Sequence, residues 1–269
     1  MNLYNSSFPA VAAGNPWQER RALVLGTGEI ASGIAVMLHN HGCRVVLSHA
    51  PEETVLRRAA SFYDALFGDA VCLDGICGRV GDGRLQIERI LTAGDAVAVT
   101  PLDVMDLLVL GPFDILIDAR MQDAAVKPEL RWLAGQSFGI GAGWYSGVNC
   151  DTALRLPLAE TGQQTHVTAP ADGVWYSPIE PGTRVYRDLP IGNAGGVILR
   201  APCDGIVMGV LRDGLKVRAG MPVAEIRSRM RRFATGTCDP RGRSVGRQIV
   251  ASMVARSCNV ETASARAAL

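Results

Sequence analysis

A glycine-rich turn near the amino terminus carries the clearest chemical pattern in the chain, and it reads Gly26-Thr-Gly28-Glu29-Ile-Ala31-Ser-Gly33. It matches G-x-G-x-x-A, follows an apolar strand and opens a helical pattern, which is the context of a dinucleotide site. In such a site the first amides of the helix hold a phosphate. We therefore expect Gly26, Gly28, Glu29, Ala31 and Gly33 to bind NAD(P).

The residues around this turn leave the choice of nucleotide open. Ser48, followed by His49, stands at the end of the second predicted strand, where an acidic residue would bind the ribose of NAD. With Arg57 and Arg58 nearby, Ser48 suits a 2′-phosphate better. Glu29, however, would oppose an incoming phosphate, so a Rossmann-like sheet that has lost its nucleotide is the alternative.

Two further clusters follow later apolar segments. Asp118-Ala-Arg120 comes directly after a predicted strand, at the edge where open α/β sheets bind ligands, so the two side chains either grip a polar ligand or form an internal ion pair. A glycine-rich segment containing Gly141 ends in Asn149-Cys150-Asp151. Cys150 could relay sulfur or act as a nucleophile if its pKa is lowered. The alternative for this thiol is a small buried apolar residue.

Alternating apolar runs and helical patterns predict the architecture. Strands are predicted at 20–26, 43–48, 96–100 and 114–118, and helices at 28–41, 51–67 and 103–110. This alternation predicts an α/β fold, a Rossmann-like parallel sheet with helices on both faces, over residues 18–158. Residues 1–17 are predicted to be a flexible tail, and residues 229–269 a connector followed by a C-terminal helix at about 244–256.

Residues 168–192 and 200–224 are two copies of one pattern. They align without a gap at an offset of 32, and seven of the 25 positions are identical, which indicates a repeated supersecondary unit. Two such copies resemble the barrel-sandwich domains that carry biotin or lipoate on a lysine in the hairpin between the halves. Here that hairpin, residues 192–197, has no lysine. We expect a β-rich, lipoyl-like barrel-sandwich domain at 159–228 that carries neither biotin nor lipoate.

Composition excludes several classes of protein. A net charge of +1 does not favour a nucleic-acid partner, and no apolar stretch is long enough for a membrane span. The seven cysteines include no C-x-x-C, which favours reduced thiols in the cytoplasm over a disulfide framework. The histidines have no metal-ligand spacing, so no metal site is predicted.

Taken together, these segments resemble the YqeB-type proteins of the (selenium-dependent) molybdenum hydroxylase system, distant relatives of the XdhC/CoxI accessory factors. The resemblance rests on the glycine turn, Asp118-Ala-Arg120, the segment from Gly141 to Asp151, the Arg-Ala-Pro-x-Asp-Gly segment at 200–205, and Asp239-Pro-Arg241-Gly. It departs from the family pattern at Ser48-His49 and in the segment between the repeats and Asp239.

The resemblance implies an accessory protein that helps to sulfurate, insert or protect the molybdenum pterin cofactor of a client hydroxylase. In that role the Rossmann-like domain would hold a nucleotide or the pterin-nucleotide end of the cofactor, Cys150 would relay sulfur, and Asp239 with Arg241 would close the cleft between the domains. Two alternatives stay open: an NAD(P)-dependent oxidoreductase of a small metabolite, and a non-catalytic assembly scaffold. We also expect a homo-oligomer.

Overall fold

The computed structural model describes residue 17 and residues 19–51, 53–122, 126–158, 164–228 and 233–267, with side chains in the last helix described as far as residue 255. The predicted N-terminal tail lies outside these residues except for Trp17, and so does the start of the predicted connector, residues 229–232.

The first half of the chain forms an eight-stranded mixed sheet. Its strands are β1 (Arg21–Leu25), β2 (Arg44–Ser48), β3 (Val71–Leu73), β4 (Ile76–Val80), β5 (Ala96–Thr100), β6 (Phe113–Asp118), β7 (Ala134–Ile140) and β8 (Thr152–Leu154). Their order in the sheet is β3-β4-β5-β2-β1-β6-β7-β8. Every neighbouring pair is parallel except β3 and β4. The predicted α/β class is therefore confirmed.

Helices and apolar side chains cover both faces of this sheet. The helices are α1 (Glu29–Asn40), α2 (Arg84–Ala93), α3 (Val104–Leu108) and α4 (Pro240–Ala267). One core cluster joins α1 and α4 to the sheet, and a second lies on the side of α2 and α3. β1, β2 and β5 are buried almost throughout, as expected for parallel strands that are covered on both faces.

The C-terminal helix begins earlier than predicted and packs on the first half of the chain. Val245, Ile249 and Met253 belong to the core cluster that contains α1. Glycines allow the two helices to approach closely, because a Cβ added at Gly33 would lie 2.9 Å from the Cα atom of Gly242. The C-terminal helix predicted within residues 229–269 is thus part of the core of the first half of the chain.

The second half of the chain, residues 164–228, forms two four-stranded antiparallel sheets. The strands are β9 (Gln164–Thr168), β10 (Gly173–Tyr176), β11 (Arg184–Val185), β12 (Pro190–Ala194), β13 (Val197–Arg200), β14 (Gly205–Val210), β15 (Lys216–Val217) and β16 (Pro222–Arg227). The sheet orders are β13-β12-β10-β15 and β11-β14-β16-β9. β10, β11 and β12 begin 32 residues before β14, β15 and β16. One apolar core lies between the sheets, and the described strands do not close into a barrel.

The predicted helix over residues 51–67 is wrong. Among its described residues, 51 and 53–67, the helical elements are two short 3₁₀ helices, Arg58–Ala60 and Tyr63–Phe67, and the segment lies between the two halves of the molecule. The Leu56 carbonyl accepts a hydrogen bond from the Val210 amide, so tertiary contacts replace the helical hydrogen bonds here.

Several other features were not predicted, among them the strands β3, β4 and β8. Cys72 and Cys77 form a disulfide across the β3–β4 hairpin, so the expectation of reduced thiols throughout was wrong. The α2 helix at residues 84–93 was also missed. Among the described helices none combines the length and the apolar character that a bilayer span requires.

Candidate functional site

A cleft opens at the carboxyl edge of the sheet between β1 and β6. From β1 the chain passes through α1 to β2 on one side of β1, whereas β6 lies on the other side. The strand order therefore reverses between β1 and β6. Gly28, Glu29, Glu53 and Arg120 are among the residues that line a cavity of about 280 Å³ here. The structure therefore brings two separately predicted clusters, the glycine turn and Asp118-Ala-Arg120, into one place.

The amides of the glycine turn already bind an anionic group of the protein itself. The Glu53 carboxylate accepts hydrogen bonds from the Thr27 amide at 2.8 Å and from the Gly28 amide at 2.9 Å. Its side chain is only 7% exposed. The carboxylate thus occupies the position at the start of α1 that a dinucleotide phosphate would take. No sequence pattern pointed to Glu53, which lies in the loop after β2.

The small residues of this turn have different structural roles. Gly26 has a φ of +114°, and a Cβ there would lie 3.1 Å from the Ala119 carbonyl oxygen, so only glycine fits easily. Ala31 is fully buried in the core, and Gly33 accommodates α4 rather than a phosphate. Of the predicted binding residues in the turn, Gly28 and Glu29 line the cleft directly.

The side chains expected to bind a 2′-phosphate are engaged elsewhere. Ser48 is buried and donates its hydroxyl to the Leu102 carbonyl at 2.7 Å. Arg58 bonds to Asp64 and to Glu180 of the second half. Arg57 makes ion pairs with two carboxylates, which are described next. None of these three side chains is placed to select NADP over NAD.

A network of charged side chains connects the cleft with the second half of the molecule. Arg57 pairs with Glu225 of β16 at 2.7 Å and with Asp239 at 3.1 Å. Arg241 pairs with Asp239 at 3.1 Å and with Glu29 at 3.3 Å. The predicted Asp239 and Arg241 therefore do lie beside the glycine turn.

Burial and pairing shift the carboxyl groups of this network in opposite directions. Burial is the main cause that raises the pKa of the Glu29 carboxyl above its usual value. Burial also acts to raise the pKa of Asp239, but hydrogen bonds from Arg241 and the charge of Arg57 outweigh it, so that pKa is lowered. Of Glu29 and Asp239, Glu29 is therefore the carboxyl that protonates more readily.

Asp118 and Arg120 form the internal ion pair that was one of the two predicted alternatives. The Arg120 guanidinium donates to the Asp118 carboxylate, which is almost completely buried. Arg120 remains about one quarter exposed and lines the cleft, so it can still offer hydrogen bonds to a ligand.

The segment from Gly141 to Asp151 is organised as a structural turn. Asn149 accepts from the Tyr145 amide and donates to the Gly143 carbonyl, and Asp151 accepts from Ser137. Cys150 is completely buried in the core cluster on the α2 side, and burial raises the pKa of its thiol. That environment suits the predicted alternative of a small buried residue, because a sulfur relay needs an accessible thiolate.

Comparisons with known proteins give one distant relative. The chain is 22% identical over 265 aligned residues to the uncharacterized protein YqeB of Escherichia coli (strain K12), and the alignment covers 89% of this chain and 48% of YqeB. The chain thus spans about half the length of that relative. No family model matches.

Solved structures give only weak similarity. An aspartoacylase family protein of Mesorhizobium loti has a TM-score of 0.25 at 11% identity, covering 81% of this chain and 86% of that one. The apo form of the ectoine utilization protein EutE of Ruegeria pomeroyi has a TM-score of 0.26 at 12% identity, covering 78% and 86%. Neither score supports an argument about function. The similarity to YqeB is what supports the resemblance to YqeB-type proteins.

Proposed function

We propose that this chain is an accessory protein of a molybdenum-dependent hydroxylase, and that it binds the pterin cofactor, or the nucleotide end of that cofactor, in the cleft beside the glycine turn. The observation that carries the proposal is the Glu53 carboxylate on the amides of Thr27 and Gly28. This contact favours binding and handover of a cofactor over nicotinamide chemistry. The role as a molybdenum accessory protein comes from the resemblance to YqeB-type proteins.

The cleft offers acceptors on one side and donors on the other. Glu29, whose side chain is about one quarter exposed, provides the acceptor and the Arg120 guanidinium provides the donors, while the Glu53 carboxylate stays on the turn amides. Pterin and guanine rings both present adjacent N–H donors, which a carboxylate accepts in pairs, and an acidic group of the same ligand suits an arginine. A volume of about 280 Å³ suits a single ring system better than a whole dinucleotide.

An NAD(P)-dependent oxidoreductase is less well supported. A pyrophosphate does not fit the turn as its residues stand, because the two amides are already hydrogen-bonded and two carboxylates face the cleft. This alternative requires the Glu53 side chain to leave its position before the nucleotide binds. We therefore derive no hydride-transfer step from this site.

The second half supports a role in association. Within the described strands, Val174 and Tyr176 are exposed on β10 while Trp175 between them is buried, and Ile198 of β13 is exposed as well. An exposed apolar face suits either a client enzyme or a second copy of the chain. The barrel-sandwich architecture, the homo-oligomer, the client hydroxylase and a cytoplasmic location are all part of this proposal.

The test is molybdenum and pterin analysis of the protein purified anaerobically from molybdate-fed native cells. Glu29→Gln is the informative variant, and Glu88→Gln is its matched control because Glu88 is also a helical glutamate of similar exposure paired with an arginine. We expect molybdenum and oxidised-pterin fluorescence in the wild type and in the control, and their loss in Glu29→Gln. A wild type free of metal and pterin that binds NADH instead would refute the proposal.

A further inference from the structure

A second and larger cavity, of about 690 Å³, lies where the start of α4 meets β14, β16 and the Arg57–Ala60 segment. Asp239 and Arg241 form part of its wall. They also contact Glu29 and Arg57, so this interdomain cavity lies next to the glycine-turn cleft without being part of it. Its volume is in the range of pockets that hold cofactor-sized molecules.

Three buried hydrogen-bond donors at this cavity have no acceptor among the described residues. They are Nε2 of Gln164, Nε of Arg227 and Nε of Arg243, and all three residues line the cavity. Leaving one such donor unsatisfied costs about 1–3 kcal/mol, so buried polar groups in folded proteins are rarely left this way. All three orphan atoms are donors, so the complement that they lack is a group rich in acceptors.

The charged side chains around the cavity also favour an anionic ligand. Arg57, Arg241 and Arg243 each have a carboxylate partner. Within the described part of the chain Arg227 has no carboxylate partner, and its Nε has no hydrogen-bond acceptor. Arginine presents several donors in a fixed plane, which suits the oxygens of a phosphate.

Most of the remaining wall is apolar. Ala60, Met208, Phe233 and Pro240 contribute to it. The Phe233 ring packs against Gly182, where an added Cβ would lie 2.7 Å from the ring, so the aromatic side chain is held in place. An apolar wall of this kind accommodates the body of an organic molecule, while a free inorganic ion would leave it uncovered.

We infer that the interdomain cavity binds a phosphorylated organic molecule with a flat apolar body, its phosphate bound by Gln164, Arg227 and Arg243 and its body against Phe233 and Met208. The inference rests on the cavity alone and does not depend on the molybdenum role. It assigns the Arg57–Ala60 segment and the start of α4 to a ligand site in addition to their structural contacts.

The test is fluorescence titration with flavin mononucleotide and riboflavin, which share a flat ring system and differ by one phosphate, with inorganic phosphate as a third probe. We expect flavin mononucleotide to bind at least about tenfold more tightly than riboflavin, because charge-assisted hydrogen bonds form only with the phosphate. Inorganic phosphate should compete only weakly.

Arg227→Gln should reduce the affinity for flavin mononucleotide about tenfold and leave riboflavin unaffected, since only the phosphate loses a partner. Arg187→Gln is the charge-matched control, because Arg187 is exposed and does not line the cavity. Absence of flavin mononucleotide binding, equal affinity for both flavins, or an unchanged Arg227→Gln variant would overturn the inference. Glu29→Gln should retain flavin mononucleotide binding, which separates this test from that of the proposed function.

Discussion

Replacing Glu53 by alanine tests whether this carboxylate occupies an anion site that belongs to the glycine turn. The Thr27 amide is fully buried and donates to Glu53 at 2.8 Å, and the Gly28 amide donates at 2.9 Å. Removing the carboxylate leaves both donors without an acceptor at the positive end of α1.

The expected loss follows from these contacts. A hydrogen bond to a charged group contributes about 1.5–3 kcal/mol, and an orphaned buried donor costs a similar amount. The partly accessible Gly28 amide can recover some of this from water, so we expect Glu53→Ala to lower the free energy of unfolding by about 2–4 kcal/mol. Glu53→Gln keeps one acceptor oxygen and should cost about half as much.

Urea unfolding followed by tryptophan fluorescence and circular dichroism measures these differences. Added inorganic phosphate should stabilise Glu53→Ala more than the wild type, because only the variant exposes free amides at the turn. At a phosphate concentration ten times its dissociation constant the recovery is about 1.4 kcal/mol. Glu19→Ala is a suitable control, since Glu19 is 76% exposed and pairs with Arg44 only at 3.9 Å.

Glu53 would not hold the turn if Glu53→Ala unfolded within about 0.5 kcal/mol of the wild type, as an ordinary surface substitution does. Equal stabilisation of the wild type and the variant by phosphate would likewise mean that no anion site is freed at the turn. Either result would mean that the turn does not depend on this carboxylate, and Glu53 would then no longer argue against nicotinamide binding.

Three further predictions concern the contacts that hold the molecule together. Arg57→Met should lower the free energy of unfolding by about 3–5 kcal/mol in urea titrations, because Glu225 is 3% exposed and would lose its partner. Adding Glu225→Met should restore most of the lost stability, and additive losses from the two substitutions would contradict this prediction. Gly33→Ala should destabilise by about 1–3 kcal/mol by crowding the Gly242 backbone, and a stabilised variant would show that helix propensity outweighs the close approach. Iodoacetamide at pH 8 followed by mass spectrometry should label Cys203 first among the described free thiols, since the other three are buried and burial raises the pKa of two of them to about 12; early labelling of a buried thiol would contradict the packing.

The sequence by itself determined the elements that local pattern controls. Short apolar runs such as Ala96–Thr100, bounded by turn residues, favour covered parallel strands, and the glycine turn at Gly26 requires a backbone conformation that other residues rarely adopt. The spacing of 32 residues between the repeats likewise reappears in the strands of the two antiparallel sheets. These features depend on residues close together in the chain.

Only the tertiary structure decided what these elements do together. Glu53 reaches the turn from a loop more than twenty residues away, and no local pattern distinguishes it from the other glutamates of the chain. The segment at 51–67 has a helical pattern, yet its backbone and arginines bond to the second half of the chain instead. The orphan donors at Gln164, Arg227 and Arg243 share one cavity because three distant segments meet there. Contacts between distant segments are set by packing of the whole chain, and a single sequence read by local periodicity does not contain them.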